Sequence, residues 1–211
     1  MSEQSAPAAD LREWITRGLD PLEDREPLAG IDYAPDELGL FKGEPVRAAV
    51  LIGLVERPQG YTVLLTRRAD TMRNHAGQVA FPGGRCDPGE TPWEAALREA
   101  EEEVGLERRF VTVAGLATPL VTHTGYLVIP VVGFVREGFT LTATPNEVAE
   151  IFETPFDFLM DPANHEERGY DLEDGRSGTY FAMTHEDRLI WGVTARILKG
   201  LRDRLYGLAP G

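Results

Sequence analysis

The chain has 211 residues, 42% of them hydrophobic and 27% charged, a length that suits one domain with an extension. Thirty-five acidic residues face twenty-one basic ones, for a formal charge of −14. That balance excludes a general binder of nucleic acid or of anionic membranes, because both need surplus positive charge. A phosphate-bearing small molecule stays admissible if cations come from elsewhere. The single cysteine, Cys86, excludes an intramolecular disulfide and a cysteine-based zinc cluster. The opening MSEQSAPAAD shows no basic stretch followed by an apolar one, and no apolar run reaches about 18 residues. The expectation is a cytoplasmic protein with no membrane span.

Residues 1–40, rich in Ala, Pro, Asp and Glu, read as an N-terminal arm carrying a short amphipathic helix over 11–19. Residues 41–211 read as one α+β domain. VRAAVLIGLV (46–55) is an apolar run of strand length, and YTVLLTRR (61–68) is rich in β-formers. The turn chemistry of Arg57-Pro58-Gln59-Gly60 between them predicts a hairpin. GQVAFPGG (77–84) is a third short strand, stopped by Pro82 and two glycines.

The clearest helix follows. Thr91 suits the N-cap, Pro92 the first turn, and Glu94 completes a capping box, while Gly105 ends the helix. Trp93, Ala96, Leu97, Ala100 and Val104 form one apolar stripe. Glu99, Glu102 and Glu103 are expected opposite it, three carboxylates on adjacent turns. Like charges so spaced repel, and a hard divalent cation prefers oxygen ligands of this kind. Arg98 sits beside them, within reach of Glu90 in the preceding loop. A helix face of this composition is by itself ordinary solvated surface.

Downstream, RFVTVAGLATPLVT and YLVIPVVGFV are strand-like. TATPNEVAEIFETPFDFLMD mixes loop, strand and a turn of helix. GYDLEDGRSGTYFAMTHEDRLIWG reads as a hairpin turning at Asp174-Gly175, and TARILKGLRDRLYGL as a closing helix.

The spacing around the acidic helix changes its meaning. Gly84, five residues, Glu90, seven residues, Arg98-Glu99-Ala100, one residue, Glu102-Glu103, one residue, Gly105-Leu106 resembles the Nudix box at every specified position. The resemblance implies the Nudix fold: an α/β/α sandwich with a mixed β-sheet and a catalytic loop-helix. It implies a metal-dependent hydrolase that cuts the pyrophosphate bond of a nucleoside diphosphate derivative. Glu99, Glu102 and Glu103 match the family's metal ligands, for Mg²⁺ or Mn²⁺, with the Gly84 carbonyl available to complete the shell. Glu90 and Arg98 match its structural pair. One of the helix glutamates, or a glutamate from a distant loop, acts as general base. Glu147 and Glu150 are the candidates outside the helix.

Upstream, LLTRRADTMRNHAGQVAFPGG (64–84) resembles the additional motif of the coenzyme A pyrophosphatase branch of that family. IWGVTARIL (190–198) is similar to the same branch. The implied substrate is coenzyme A or its thioesters, cleaved to 3′,5′-ADP and (acyl-)4′-phosphopantetheine. Arg68, Arg73, His75 and Gln78 are the substrate-binding candidates, since guanidinium forks suit phosphate oxygens. Strand alternation turns Arg67 and Arg68 to opposite faces. The alternatives are another nucleotide derivative, such as ADP-ribose or a dinucleoside polyphosphate, and a non-catalytic coenzyme A or nucleotide-binding module. The arm is free to cap the substrate or to join a homodimer. Cys86 reads as an unremarkable loop thiol. His123, His165 and His185 show no metal-ligand spacing. Phe81, Trp14, Trp93, Ile190 and Trp191 are expected in the core.

Overall fold

The computed structural model describes residues 11–22, 44–71, 75–171 and 177–207. Two sheets and four α-helices make up the described fold. The main sheet is built on β1 (Val46–Arg57), in which residues 48–55 are buried apart from the half-buried Val50. Strands apolar on both faces belong between layers. β1 pairs antiparallel with β2 (Gly60–Arg68) through the expected hairpin, Leu54 opposite Val63 and Arg57 opposite Gly60. On its other edge it runs parallel to β7 (Tyr126–Val135), with Val46 opposite Tyr126 and Val55 opposite Val135. The sheet is therefore mixed.

The first half of β1 departs from β2 and takes β4 (Gly83–Arg85) as its antiparallel neighbour, while β2 continues against β3 (Val79–Ala80). Gly83 is required at this junction. A side chain there would strike the Ala49 carbonyl and the Val50 backbone. β5 (Val111–Leu116) and β6 (Leu120–Val121) line the far edge of β7, and β8 (Val148–Pro155) lines β2. A separate antiparallel sheet is formed by β9 (Glu166–Asp171), β10 (Ser177–His185) and β11 (Arg188–Trp191). The Asp174-Gly175 turn lies outside the described residues.

Helices cover both faces of the main sheet. α2 (Pro92–Val104) packs Ala95, Ala96, Ala100 and Val104 against Ala49, Leu51, Leu64 and Ile129 on one face. The opposite face is covered by α1 (Leu11–Arg17), α3 (Phe156–Met160), α4 (Gly192–Leu205) and the inner side of the small sheet, through Ile15, Phe156, Met183, Ile190 and Leu198. This is the expected α/β/α sandwich. Within the segment read as an arm, residues 11–20 pack onto the domain. Ile15 is fully buried, Asp20 bridges to Leu116, and Arg204 of α4 pairs with Asp20. Trp191 corrects the sequence expectation. Ile190 faces the core as expected, but Trp191 points the other way and stays 38% exposed against Tyr180, as alternation along β11 demands.

Candidate functional site

Local chemistry first sets the loop and helix. α2 starts as its sequence requires: the Thr91 hydroxyl accepts the Glu94 N–H, and the Glu94 carboxylate accepts the Thr91 N–H at 2.9 Å. It stops at Gly105 in the left-handed region, φ 70°. The preceding loop is braced by Glu90, whose carboxylate accepts the Asp87 N–H at 2.9 Å. Arg98 then grips Glu90 with both arms of its fork, at 2.9 and 3.0 Å. The same guanidinium donates to the Arg85 carbonyl at 3.0 Å, to Glu99 at 2.7 Å and to Glu102 at 3.2 Å. Arg98 thereby holds the Glu90 carboxyl below the usual carboxylate range. Loop, strand β4 and helix are tied through one cation.

The acidic cluster is not arranged quite as expected. Glu103 is not opposite the apolar stripe but at its edge, and only 6% exposed. At 100° per residue it falls between Ala96 and Glu99 on the helix wheel. Its carboxylate accepts the Gly83 N–H at 3.2 Å. Burial pushes the Glu103 carboxyl up to about 7, against the pull of that N–H and of the Arg68 charge. Glu99 is likewise raised by burial, against the pull of Arg98. The Glu99 carboxylate lies against Gly84, where a Cβ would collide with it. Glu102 is the exposed member and turns toward Arg98.

These donors fit a hard divalent cation. Two half-buried or buried carboxylates border the Gly83–Gly84 backbone, a third lies one turn away, and all the atoms offered are oxygens. Among the described residues no three His, Cys, Asp or Glu side chains converge on one point. The cation placed among the carboxylates is Arg98.

The two further glutamates separate cleanly. Glu147 lies close enough to Glu99 and Glu103 to raise the proton affinity of both. Glu150 sits beside Arg67 in the β2–β8 register. It is bound by Arg188 at 2.7 Å and by Arg67 at 3.6 Å, with Arg188 stacked over Phe152 of the core on the far side of the sheet from α2. Arg68 turns the other way, toward Glu103, and its Nε is buried without a hydrogen-bond partner. The alternation read from sequence therefore holds.

His75 and Gln78 bond each other, Nδ1 to Oε1 at 2.9 Å, in a loop folded back on the end of β2. Arg73 lies outside the described residues. Burial and the Glu90 charge push the Cys86 thiol up to about 11, so it is a poor nucleophile near neutral pH. Phe81 is core, 4% exposed. Sequence reading missed Thr142 and Thr144. Their bonds to the last carbonyls of α2 fasten the segment that carries Glu147, and a TPN turn gives no sign of such a distant anchor.

The site is a loop-helix rich in carboxylates set against one face of a mixed sheet. The NUDIX domain model matches residues 45–172. A Yersinia enterocolitica protein named "Uncharacterized Nudix hydrolase NudL" is 42% identical over 171 residues, covering 79% of this chain and 85% of that one. A Photorhabdus laumondii protein of the same name is 42% identical over 159 residues, covering 75% and 84%. Among solved structures, a Nudix hydrolase from M. smegmatis, RenU, is 29% identical with a TM-score of 0.47, covering 61% of this chain and 81% of that one. The chain belongs to the Nudix hydrolase family. It is an enzyme that acts on nucleoside diphosphate derivatives, and such hydrolases generally use divalent ions such as Mg²⁺ or Mn²⁺. Among the described residues no helix is long and apolar enough to cross a membrane.

Proposed function

We propose that the enzyme hydrolyses the diphosphate of coenzyme A and its thioesters, releasing 3′,5′-ADP and 4′-phosphopantetheine or its acylated form, with Mg²⁺ or Mn²⁺ bound by Glu99, Glu102 and Glu103. The observation that carries this reading is the position of the 64–84 segment. It leads from β2 through β3 into β4, leaves the Arg68 guanidinium beside Glu103 with its Nε unpartnered, and ends on the Gly83 N–H that Glu103 accepts. A cation held there, with a donor to spare, suits an anionic phosphate oxygen.

Divalent cations supply charge neutralisation at the phosphorus undergoing attack. The chain's own residues do the rest. Glu147 takes the proton of the attacking water, the new P–O bond forms, and the P–O bond of the anhydride bridge breaks to free the second phosphate. Arg98 and Glu90 keep the loop and helix in register during the reaction. Arg68, Arg73, His75 and Gln78 hold the substrate's phosphates.

Product analysis after incubation with coenzyme A and Mg²⁺ tests the proposal. Appearance of 3′,5′-ADP and 4′-phosphopantetheine, at a higher kcat/KM than for ADP-ribose, is the expected result. A clear preference for ADP-ribose overturns the substrate, and tight binding without turnover of any nucleotide overturns the mechanism.

A further inference from the structure

We propose that Thr144 is a positioning residue that sets the distance between Glu147 and the carboxylates of α2; this rests on Glu147 acting as the base. A helix leaves its last four carbonyls without helical partners. In α2 the Gly105 N–H takes the Glu101 carbonyl at 3.0 Å. The remaining carbonyls are taken by one short segment from 40 residues further on. The Thr142 N–H donates to Val104 at 2.9 Å, the Thr144 N–H to Glu103 at 2.9 Å, and the Thr144 hydroxyl to Glu102 at 2.5 Å.

Thr144 is thus bonded to the backbone of two of the three metal-binding candidates. It also closes the turn that presents Glu147. Its carbonyl accepts the Glu147 N–H at 3.0 Å and the Val148 N–H at 2.9 Å. The Glu147 carbonyl in turn accepts the Ala69 N–H at 2.9 Å, next to Arg68. Glu102, Glu103, Glu147 and Arg68 are therefore spaced by a continuous chain of backbone bonds with Thr144 at its centre. The hydroxyl is the only side-chain bond in it. Its loss takes that partner from the Glu102 carbonyl and leaves the turn tied to α2 by the Thr142 and Thr144 N–H groups, with no side-chain bond to fix its angle. A proton acceptor displaced by an ångström loses much of its effect on the attacking water while ground-state binding is untouched.

The test uses the full chain, Mg²⁺ and coenzyme A, with kcat and KM determined for Glu147→Gln, Thr144→Val, Thr144→Ser and the Thr144→Val/Glu147→Gln double variant. Expected are a loss of about 100-fold or more in kcat for Glu147→Gln and about tenfold for Thr144→Val, with KM within about twofold. Thr144→Ser, which keeps the hydroxyl, should recover most of the lost kcat. The double variant should be no slower than Glu147→Gln alone, because both changes act on one step. Should Thr144→Val fail to fold, Thr144→Ala takes its place. An impaired Glu147→Gln alongside an unimpaired Thr144→Val overturns the role of Thr144 alone, as does full additivity in the double variant. An active Glu147→Gln overturns the base itself.

Discussion

Glu103 Oε2 and the Gly83 N–H lie 3.2 Å apart, so a carboxylate buried under the main sheet depends on one backbone donor from the strand that opens the catalytic loop. That single bond does not offset the desolvation, and the carboxyl stays protonated to about pH 7 in the absence of divalent ions.

The sign of the resulting pH dependence is fixed. A carboxyl raised from 4.5 to about 7 in the folded state stabilises the fold fully below the unfolded value, and that contribution is lost as pH rises through the folded one. At about 1.4 kcal/mol per pKa unit the loss is at most about 3.5 kcal/mol. Glu103→Gln should flatten this dependence. In chelator, its Tm relative to the wild type should rise from pH 5 to pH 8, while turnover falls by orders of magnitude. An equal Tm difference at both pH values would contradict the burial argument.

Arg98 makes the largest concentration of charge-assisted bonds in the site. Arg98→Ala removes the Glu90 fork and the bond to the Arg85 carbonyl together, leaving the part-buried Glu90 carboxylate with the Asp87 N–H as its remaining partner. We expect a stability loss of about 2 kcal/mol, seen in urea melts. Arg98→Lys should recover little of it, because an ammonium cannot span both Glu90 oxygens.

Glu150→Gln should leave kcat within about twofold of wild type. It loosens Arg188 and Arg67 on the sheet face away from α2, a partly exposed pair worth about 0.5–1 kcal/mol. The corresponding change at Glu147 should abolish most turnover. Steady-state assays of the two variants side by side decide which glutamate serves the reaction.

Arg68→Ala should raise KM for coenzyme A by about tenfold with a smaller effect on kcat, since a phosphate contact contributes to ground and transition states alike. Excess chelator should suppress hydrolysis entirely. Seven glutamates lie between residues 90 and 107, and with Glu99 and Glu103 bordering the Gly83–Gly84 backbone, divalent cations are needed to reverse the local field for an anionic substrate.

The helix and its caps were legible because each is local: Thr91, Pro92, Glu94 and Gly105 act within a turn or two of themselves. The opposite orientations of Arg67 and Arg68 were legible for the same reason. What escaped depends on packing. The wheel alone did not show that Glu103 would be drawn beneath Gly83, because that requires knowing where β4 leaves β1. Trp191 was misjudged because an aromatic next to Ile190 looks like core until alternation is applied. Glu147 and Glu150 were indistinguishable until the register with β2 placed Glu150 beside Arg67, on the far side from the carboxylates.

The parallel pairing of Val46 with Tyr126 has a kinetic consequence. It joins residues 80 apart, and the catalytic loop-helix lies wholly within the loop that this pairing closes. Non-local parallel contacts of this kind are slow to form. Until they do, α2 has only the β1–β2 hairpin to pack on, through Ala49, Leu51 and Leu64, and lacks Ile129 of β7. Hydrolytic activity during refolding should therefore return no earlier than the central sheet, making catalysis a late reporter of folding.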